Sequence, residues 1–119
     1  MKKAVMLMLA SIALTASPIK AEASADEFIR ILDRGGASAE TATIFLHGIS
    51  NGLDWANTEL KGQKRAQLYC VPPKLGLSVS QSILIFRDHL KRNPENGQYP
   101  AGLVMLEAMR TTFPCKSEG

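Results

Sequence analysis

Apolar residues recur at steps of three and four in separate stretches of the chain, and this spacing predicts α-helices. The first predicted helix starts at Ser24 and stops at Gly35–Gly36. The second runs through "SAETATIFLHGISNGLDWANTEL", with Ser38 as its predicted N-cap and Gly62 after its end. Its predicted buried face comprises Ala42, Phe45, Ile49, Leu53, Ala56 and Leu60.

Two more helices are predicted after a long connector, "KGQKRAQLYCVPPKLGL". The third runs from Ser78 to Asn93, which precedes a proline and therefore avoids the helical region. The fourth is predicted between Pro100 and Phe113, with Pro100 at the first helical position. Ser78 with Gln81, like Ser24 with Glu27, has the spacing of a capping box. The predicted buried residues are Val79, Ile83, Leu84, Ile85, Phe86 and Leu90 in the third helix, and Leu103, Val104, Leu106, Met109 and Phe113 in the fourth.

No stretch alternates apolar and polar residues for long enough to predict a strand. The expected fold is therefore all-α, a small four-helix bundle. With the N-terminal segment set aside, the remaining length suits one domain with one modest core.

The N-terminus has the layout of a secretory signal peptide. Lys2 and Lys3 precede an apolar run from Ala4 to Leu14, and small residues with two Ala-x-Ala sites follow between Ala21 and Ala25. A membrane-spanning helix needs about 18 or more apolar residues, and this run is shorter. We expect residues 1–23 to be a cleaved signal peptide and residues 24–119 to be the exported domain; the alternative is a retained N-terminal anchor. After cleavage no membrane association is expected.

Loss of that segment alters the charge balance. The whole chain carries 14 basic and 11 acidic residues, for a formal charge of +3. Three of the basic residues (Lys2, Lys3 and Lys20) and one acidic residue (Glu22) leave with residues 1–23, so 11 basic and 10 acidic residues remain. A nearly neutral chain without a basic, aromatic-rich stripe is not expected to bind nucleic acid.

Two cysteines in an exported chain are most simply interpreted as one disulfide, here Cys70–Cys115. The alternative, a reactive thiol pair, usually has Cys-x-x-Cys spacing, which this chain lacks. A Cys70–Cys115 bond would tie the end of the last helix to a connector that contains Pro72 and Pro73.

Gly48, Gly52 and Trp55 in the second helix allow two interpretations each. Glycines four residues apart lie on one helix face and let another backbone approach, either inside the bundle or from a second copy in a homodimer. Trp55 either fills the core or anchors a partner interface, since tryptophan is enriched among binding hot spots.

The sequence offers few candidates for catalytic or metal-binding residues. His47 and His89 are the only histidines, and neither has a second histidine or a cysteine at metal-ligand spacing. The carboxylates are scattered singly, and no phosphate-binding loop or serine elbow is present. We therefore expect no catalytic residues, no metal and no cofactor, and we predict that the protein is not an enzyme.

Several of these motifs together resemble the Rap/Tai family of immunity proteins, the periplasmic antidotes to peptidoglycan-cutting amidases of type VI secretion systems. The resemblance covers about half of the predicted exported domain. "HGISNGLDWAN" matches the family's long second helix more loosely. The matching residues are Tyr69-Cys70-x-Pro72, Gln81, Leu90, Asn93-Pro94-Glu95, Ala108 and Phe113-Pro114-Cys115.

The resemblance implies a small helical domain with one disulfide, often a dimer, that acts as an immunity protein in the periplasm. In such proteins a loop and a neighbouring helix occlude the active-site cleft of a Cys–His amidase. Cys70, Pro72, Phe113 and Cys115 belong to the shared framework, and no residue of this chain can be assigned as an inhibitory contact by the resemblance.

The segment "KRNPENGQYP" is our candidate for the inhibitory surface, because its two prolines bracket a turn that carries polar and aromatic side chains. The predicted partner-binding residues are Arg87, Lys91, Glu95, Asn96, Gln98 and Tyr99. An ordinary solvent-exposed loop is the alternative. Other functions left open are a general periplasmic helper or stress chaperone, a family member that binds another envelope component, and an enzyme of low activity.

Overall fold

A computed structural model describes residues 22–117. Four α-helices are present in that range: α1 (Ala25–Arg34), α2 (Gly36–Gly62), α3 (Val79–Arg92) and α4 (Ala101–Thr112), with a short 3₁₀ helix, Pro94–Gln98, between α3 and α4. No strand occurs in these residues, and the predicted all-α class is confirmed. Residues 1–21 of the predicted signal peptide lie outside the described range. None of the described helices combines the length and apolar character that crossing a membrane requires.

The predicted helix caps are confirmed where the capping residue was identified from local spacing. The Ser24 hydroxyl accepts a hydrogen bond from the Glu27 N–H, and Ser78 and Gln81 form a complete capping box. The prediction for the start of α2 is wrong: α2 begins at Gly36, and Ser38 lies inside it. Gly35 and Gly36 have φ of +72° and +73°, a conformation that glycine adopts without a Cβ penalty, so the chain turns sharply between α1 and α2.

The buried face of α2 is rotated from the predicted one, although Ala42 belongs to both. Phe45 is 47% exposed and Ala56 is exposed, so the prediction that both belong to the core is wrong. Phe45 instead stacks on Phe28 at the edge of the core, with ring centroids 5.1 Å apart. The buried residues of α2 are Ala42, Leu46, Ser50 and Asn57, two of them polar.

Each buried polar residue of α2 has a hydrogen-bond partner, as burial requires. The hydroxyls of Ser50 and Ser82 are 3.1 Å apart and join α2 to α3. Because the predicted stripe contained only apolar residues, it missed these positions.

The central residues of α3 and α4 are partly as predicted. Phe86 and Leu90 are buried in α3, and Val104 and Met109 are buried in α4. Leu84 is 63% exposed and Leu103 is 48% exposed, so their predicted burial is wrong. The face that α4 packs into the bundle carries Ala101, Val104, Met105, Ala108 and Met109, and its two alanines leave room for neighbouring helices to come close.

The first described residues form a strap across the start of α4. The Ala25 N–H donates to the Tyr99 carbonyl at 2.9 Å, and the Ala101 N–H donates to the Ala23 carbonyl at 3.2 Å. The Glu22 carboxylate accepts a hydrogen bond from the Gly102 N–H at 2.8 Å. Residues 22–25 are therefore part of the folded unit.

The disulfide Cys70–Cys115 is present and joins residues 45 positions apart. Beside it, the Cys70 N–H donates to the Phe113 carbonyl at 2.8 Å. The connector between α2 and α3 is thus held against the end of α4, as the sequence analysis predicted.

Candidate partner-binding surface

The predicted loop is an ordered turn. Its backbone closes on itself, with the Asn96 N–H donating to the Asn93 carbonyl at 3.0 Å and the Tyr99 N–H donating to the Asn96 carbonyl at 3.1 Å. The Gln98 side-chain amide donates to the Glu95 carbonyl at 3.1 Å. A turn that satisfies its own backbone groups holds its shape before any partner arrives.

Two contacts fix this turn to the bundle. The Asn96 side-chain nitrogen lies 3.0 Å from Nε2 of His89, which is buried in α3. Gly97 is buried against the Asp26 carboxylate of α1, and a Cβ at this position would collide with that carboxylate. No hydrogen-bond partner for His89 Nδ1 is found among residues 22–117. Through the contact of its Nε2 with Asn96, His89 of α3 supports the turn.

The six predicted partner-binding residues differ in how available they are. Glu95, Gln98 and Lys91 are exposed, and Tyr99 is 46% exposed. Asn96 is half-buried and already bonded to His89, so it supports the turn. Arg87 is half-buried and forms an ion pair with Asp33 of α1 at 2.7 Å. The available side chains are thus those of the turn together with Lys91 of the adjoining helix.

The face of α2 opposite the core carries Gly48, Gly52 and Trp55. Trp55 is 74% exposed and Ile44, three turns before it, is 72% exposed, so the interpretation of Trp55 as a core residue is wrong. A Cβ added at Gly48 or Gly52 would meet nothing within 4 Å, so the interpretation that these glycines serve packing inside the bundle is wrong as well. We call Ile44, Gly48, Gly52 and Trp55 the α2 outer face.

A polar cluster that the sequence analysis missed joins α2 to the connector. The buried Asn57 amide donates to the Tyr69 carbonyl at 2.9 Å, and its Oδ1 accepts from the Leu68 N–H at 2.7 Å. The Tyr69 hydroxyl donates to Oδ1 of Asp54 at 2.5 Å. Burial, the hydrogen bond to Asp54 and the charge of that carboxylate raise the pKa of the Tyr69 phenol far above its usual value.

The signal for this cluster was present in the helical spacing. Asn57 lies four residues after Leu53 and eleven after Leu46, so it continues the buried face of α2. A polar residue at a buried helical position needs a partner, and the adjacent connector is the nearest source of free backbone groups. Which connector residues it would meet could not be deduced from local spacing.

Within residues 22–117, no group of three His, Cys, Asp or Glu side chains is close enough to hold a metal ion. Both cysteines are in the disulfide. The arrangement offers exposed, pre-ordered surface for contact with another molecule.

Comparison with known proteins gives one positive result. The sequence matches the family model described as Rap1a immunity proteins over residues 31–115, well over half of its 119 residues. No curated protein and no solved structure matches significantly. The matched range includes α2, α3, α4, the Pro94–Gln98 turn and both cysteines. The helical fold, the disulfide and this match agree, and the chain belongs to the Rap1a immunity protein family.

Proposed function

We propose that this immunity protein binds and sterically blocks a peptidoglycan amidase effector of a type VI secretion system, in the periplasm and without catalysing a reaction itself. The family match supports the immunity role, and the resemblance described above suggests the class of target. The observation that carries the proposal is the ordered Pro94–Gln98 turn, which presents exposed side chains on a backbone fixed by His89 and Asp26.

A pre-ordered turn suits inhibition because little conformational freedom is lost on binding. Tyr99 would supply the aromatic anchor, and tyrosine is one of the residues enriched at binding hot spots. Glu95, Gln98 and Lys91 would supply polar contacts around it, at the rim of the interface.

Truncating the exposed side chains of the turn tests this directly. We expect the triple substitution Glu95→Ala, Gln98→Ala, Tyr99→Ala to weaken binding of the partner by about tenfold or more, because it removes an aromatic anchor and two polar contacts. Affinity would be measured by calorimetry with the effector that co-purifies with the exported chain from the periplasm. Because these side chains are exposed, and only Gln98 gives up a hydrogen bond within the turn, the free energy of unfolding should fall by no more than about 1.5 kcal/mol.

Leu84→Ala is the matched control, since Leu84 is an exposed apolar residue of α3 outside the turn. It should leave the affinity unchanged. Equal affinities for the triple variant, the control and the unmodified chain would show that the turn is not the inhibitory surface.

We further propose that the chain is exported and processed after Ala21, two residues before the boundary expected from the sequence, so that Glu22 stays with the exported domain. Cleavage there would keep Glu22 and Ala23, whose hydrogen bonds to Gly102 and Ala101 tie the N-terminus to α4. Cleavage after Ala23 or Ala25 would leave the Ala101 and Gly102 N–H groups without these partners. The intact mass of the exported chain distinguishes the three sites, and an uncleaved chain would contradict export with processing.

We also propose that the α2 outer face pairs with a second copy. From Thr41 to Leu53 the helix carries no Asp, Glu, Lys or Arg, so its surface has little charge to desolvate. A two-fold antiparallel pairing centred between Gly48 and Gly52 would bring Trp55 of one copy near Ile44 of the other, which makes the contact self-complementary.

A large side chain at Gly48 should prevent the close approach of the two helices and so abolish this pairing. We expect Gly48→Leu to convert a dimer to a monomer in sedimentation velocity without unfolding the chain, because no atom outside its own helix lies within 4 Å of the added Cβ. Gly62→Leu, at an equally open helical glycine near the end of α2, is the control and should leave the dimer intact. A monomeric unmodified chain at high concentration would refute the pairing.

A further inference from the structure

We propose that the hollow between α2 and the connector is a binding pocket for an arginine or lysine side chain of the protein partner. This rests on the proposed function only in assigning the cation to a protein. The hollow has a volume of about 390 Å³. Its lining residues are Asp54, Asn57, Thr58 and Lys61 of α2 and Gln67, Tyr69, Val71, Leu75 and Leu77 of the connector. Pockets of about 300–1,000 Å³ with few, well-placed polar groups are typical of binding sites.

The carboxylate of Asp54 is the group that would recognise the cation. Its Oδ1 accepts the Tyr69 hydroxyl at 2.5 Å, and that hydroxyl remains a donor because the phenol is held protonated. This hydrogen bond fixes the orientation of the carboxylate. Among residues 22–117, no group donates a hydrogen bond to Oδ2, and no Lys or Arg nitrogen lies within 4.0 Å of either oxygen.

The apolar part of the lining suits the aliphatic stem of a basic side chain. Val71, Leu75 and Leu77 of the connector line the hollow, and Leu75 is 41% exposed. Arginine and lysine bury their methylene stems against apolar surface while the charged head meets a polar group. The hollow therefore offers both halves of the contact that such a side chain makes.

The hollow exists before any ligand binds. Asn57 clamps the backbone of Leu68 and Tyr69, and the disulfide holds the next residue, Cys70, against the end of α4. The connector is therefore anchored at Leu68, Tyr69 and Cys70, directly before Val71 of the hollow. A preformed site loses less conformational entropy on binding than a flexible one.

Lys61 also lines the hollow and determines how the sign of the ligand charge can be tested. If the pocket binds a cation, Lys61 repels it and weakens binding. If the pocket binds an anion, Lys61 attracts it and Asp54 repels it. Removing either charge therefore has opposite consequences for the two kinds of ligand.

The test uses propylguanidinium as the probe and neutral propylurea, of similar shape, as its control. Binding to the full exported chain is followed by NMR through the methyl resonances of Val71, Leu75 and Leu77. We expect saturable shifts with propylguanidinium and none, or far weaker ones, with propylurea. Equal responses to both probes, or no saturable shift, would overturn the proposal.

Two charge substitutions sharpen the result. Asp54→Asn should weaken propylguanidinium binding by about fivefold or more, because it removes the charge and keeps an oxygen that can accept from Tyr69. Lys61→Gln should strengthen it, and a weaker affinity in this variant would contradict the proposal even if Asp54→Asn perturbs the fold. Asp88→Asn, an exposed carboxylate paired with Arg92 on α3, is the control and should change nothing.

The outcome is separable from that of the proposed function. Propylguanidinium binding does not require an amidase, so a positive result stands even if no such effector binds. Conversely, failure of the probe to bind overturns the pocket even if an amidase binds through the Pro94–Gln98 turn.

Discussion

Replacing Cys70 and Cys115 with serine should lower the free energy of unfolding by about 2–4 kcal/mol, which is the range expected for a cross-link across a loop of this length. The bond closes a 45-residue separation, so its loss lets the unfolded chain explore many more conformations. In the folded protein the connector would keep the Asn57 clamp and lose its covalent tie to the end of α4. Urea unfolding of the double variant and the unmodified chain measures the difference.

Reduction of the unmodified protein is the matched control for this prediction. Because it breaks the same link and leaves both sulfurs in place, it should produce nearly the same loss of stability. A loss below about 1 kcal/mol in both experiments would contradict the role given to the disulfide, since native disulfides of small exported domains typically contribute more.

Asn57→Ala should lower the free energy of unfolding by about 2–4 kcal/mol, because it leaves two buried backbone groups without partners. The Leu68 N–H would lose its acceptor and the Tyr69 carbonyl its donor. The connector would then loosen beside the Asp54 hollow. Chemical denaturation measures the loss, and amide hydrogen exchange at Leu68 should accelerate.

Asn51→Ala on the same helix separates this effect from the loss of any asparagine. Asn51 is exposed, and among residues 22–117 its side chain bonds to His47 one turn away and to no other side chain. We expect a change of no more than about 0.5 kcal/mol for such a surface substitution. Similar losses for both variants would show that the clamp adds nothing beyond general helix stability.

The features that the sequence predicted correctly depend on residues close together in the chain or, for the disulfide, on there being one possible pair of cysteines. The side-chain cap at Ser24 and the capping box at Ser78 involve residues three positions apart, so their spacing alone identified them. The disulfide followed from two cysteines in a chain expected to be exported. Proline before the turn ended α3 at the predicted place, with Asn93 as its cap.

The errors concern positions where packing between helices, and not local sequence, determines which residues are buried. In α4, Met105 is completely buried while Leu103 is half-exposed, because the side of the helix that faces the bundle is set by its neighbours. In α2 the buried face includes Ser50 and Asn57, whose partners lie on other segments. Hydropathy along one helix carries no information about such partners.

Only part of the candidate site could be predicted, because the rest depends on packing between segments that are distant in the chain. Proline, asparagine and glycine indicated a turn between α3 and α4 from local chemistry. That His89 and Asp26 would hold this turn from below depends on how α1 and α3 pack, which the local sequence does not reveal. The Asp54 hollow was missed entirely, since it forms only when the connector folds back on α2.

The most direct test of the central claim is to express the full chain as periplasmic bait and quantify by mass spectrometry what co-purifies. We predict one peptidoglycan amidase in a fixed molar ratio to the bait, and a sharp reduction of that amidase when the Glu95, Gln98 and Tyr99 side chains are truncated. A mixture of unfolded envelope proteins without an amidase, or recovery of the bait alone from cells that produce the effector, would contradict it.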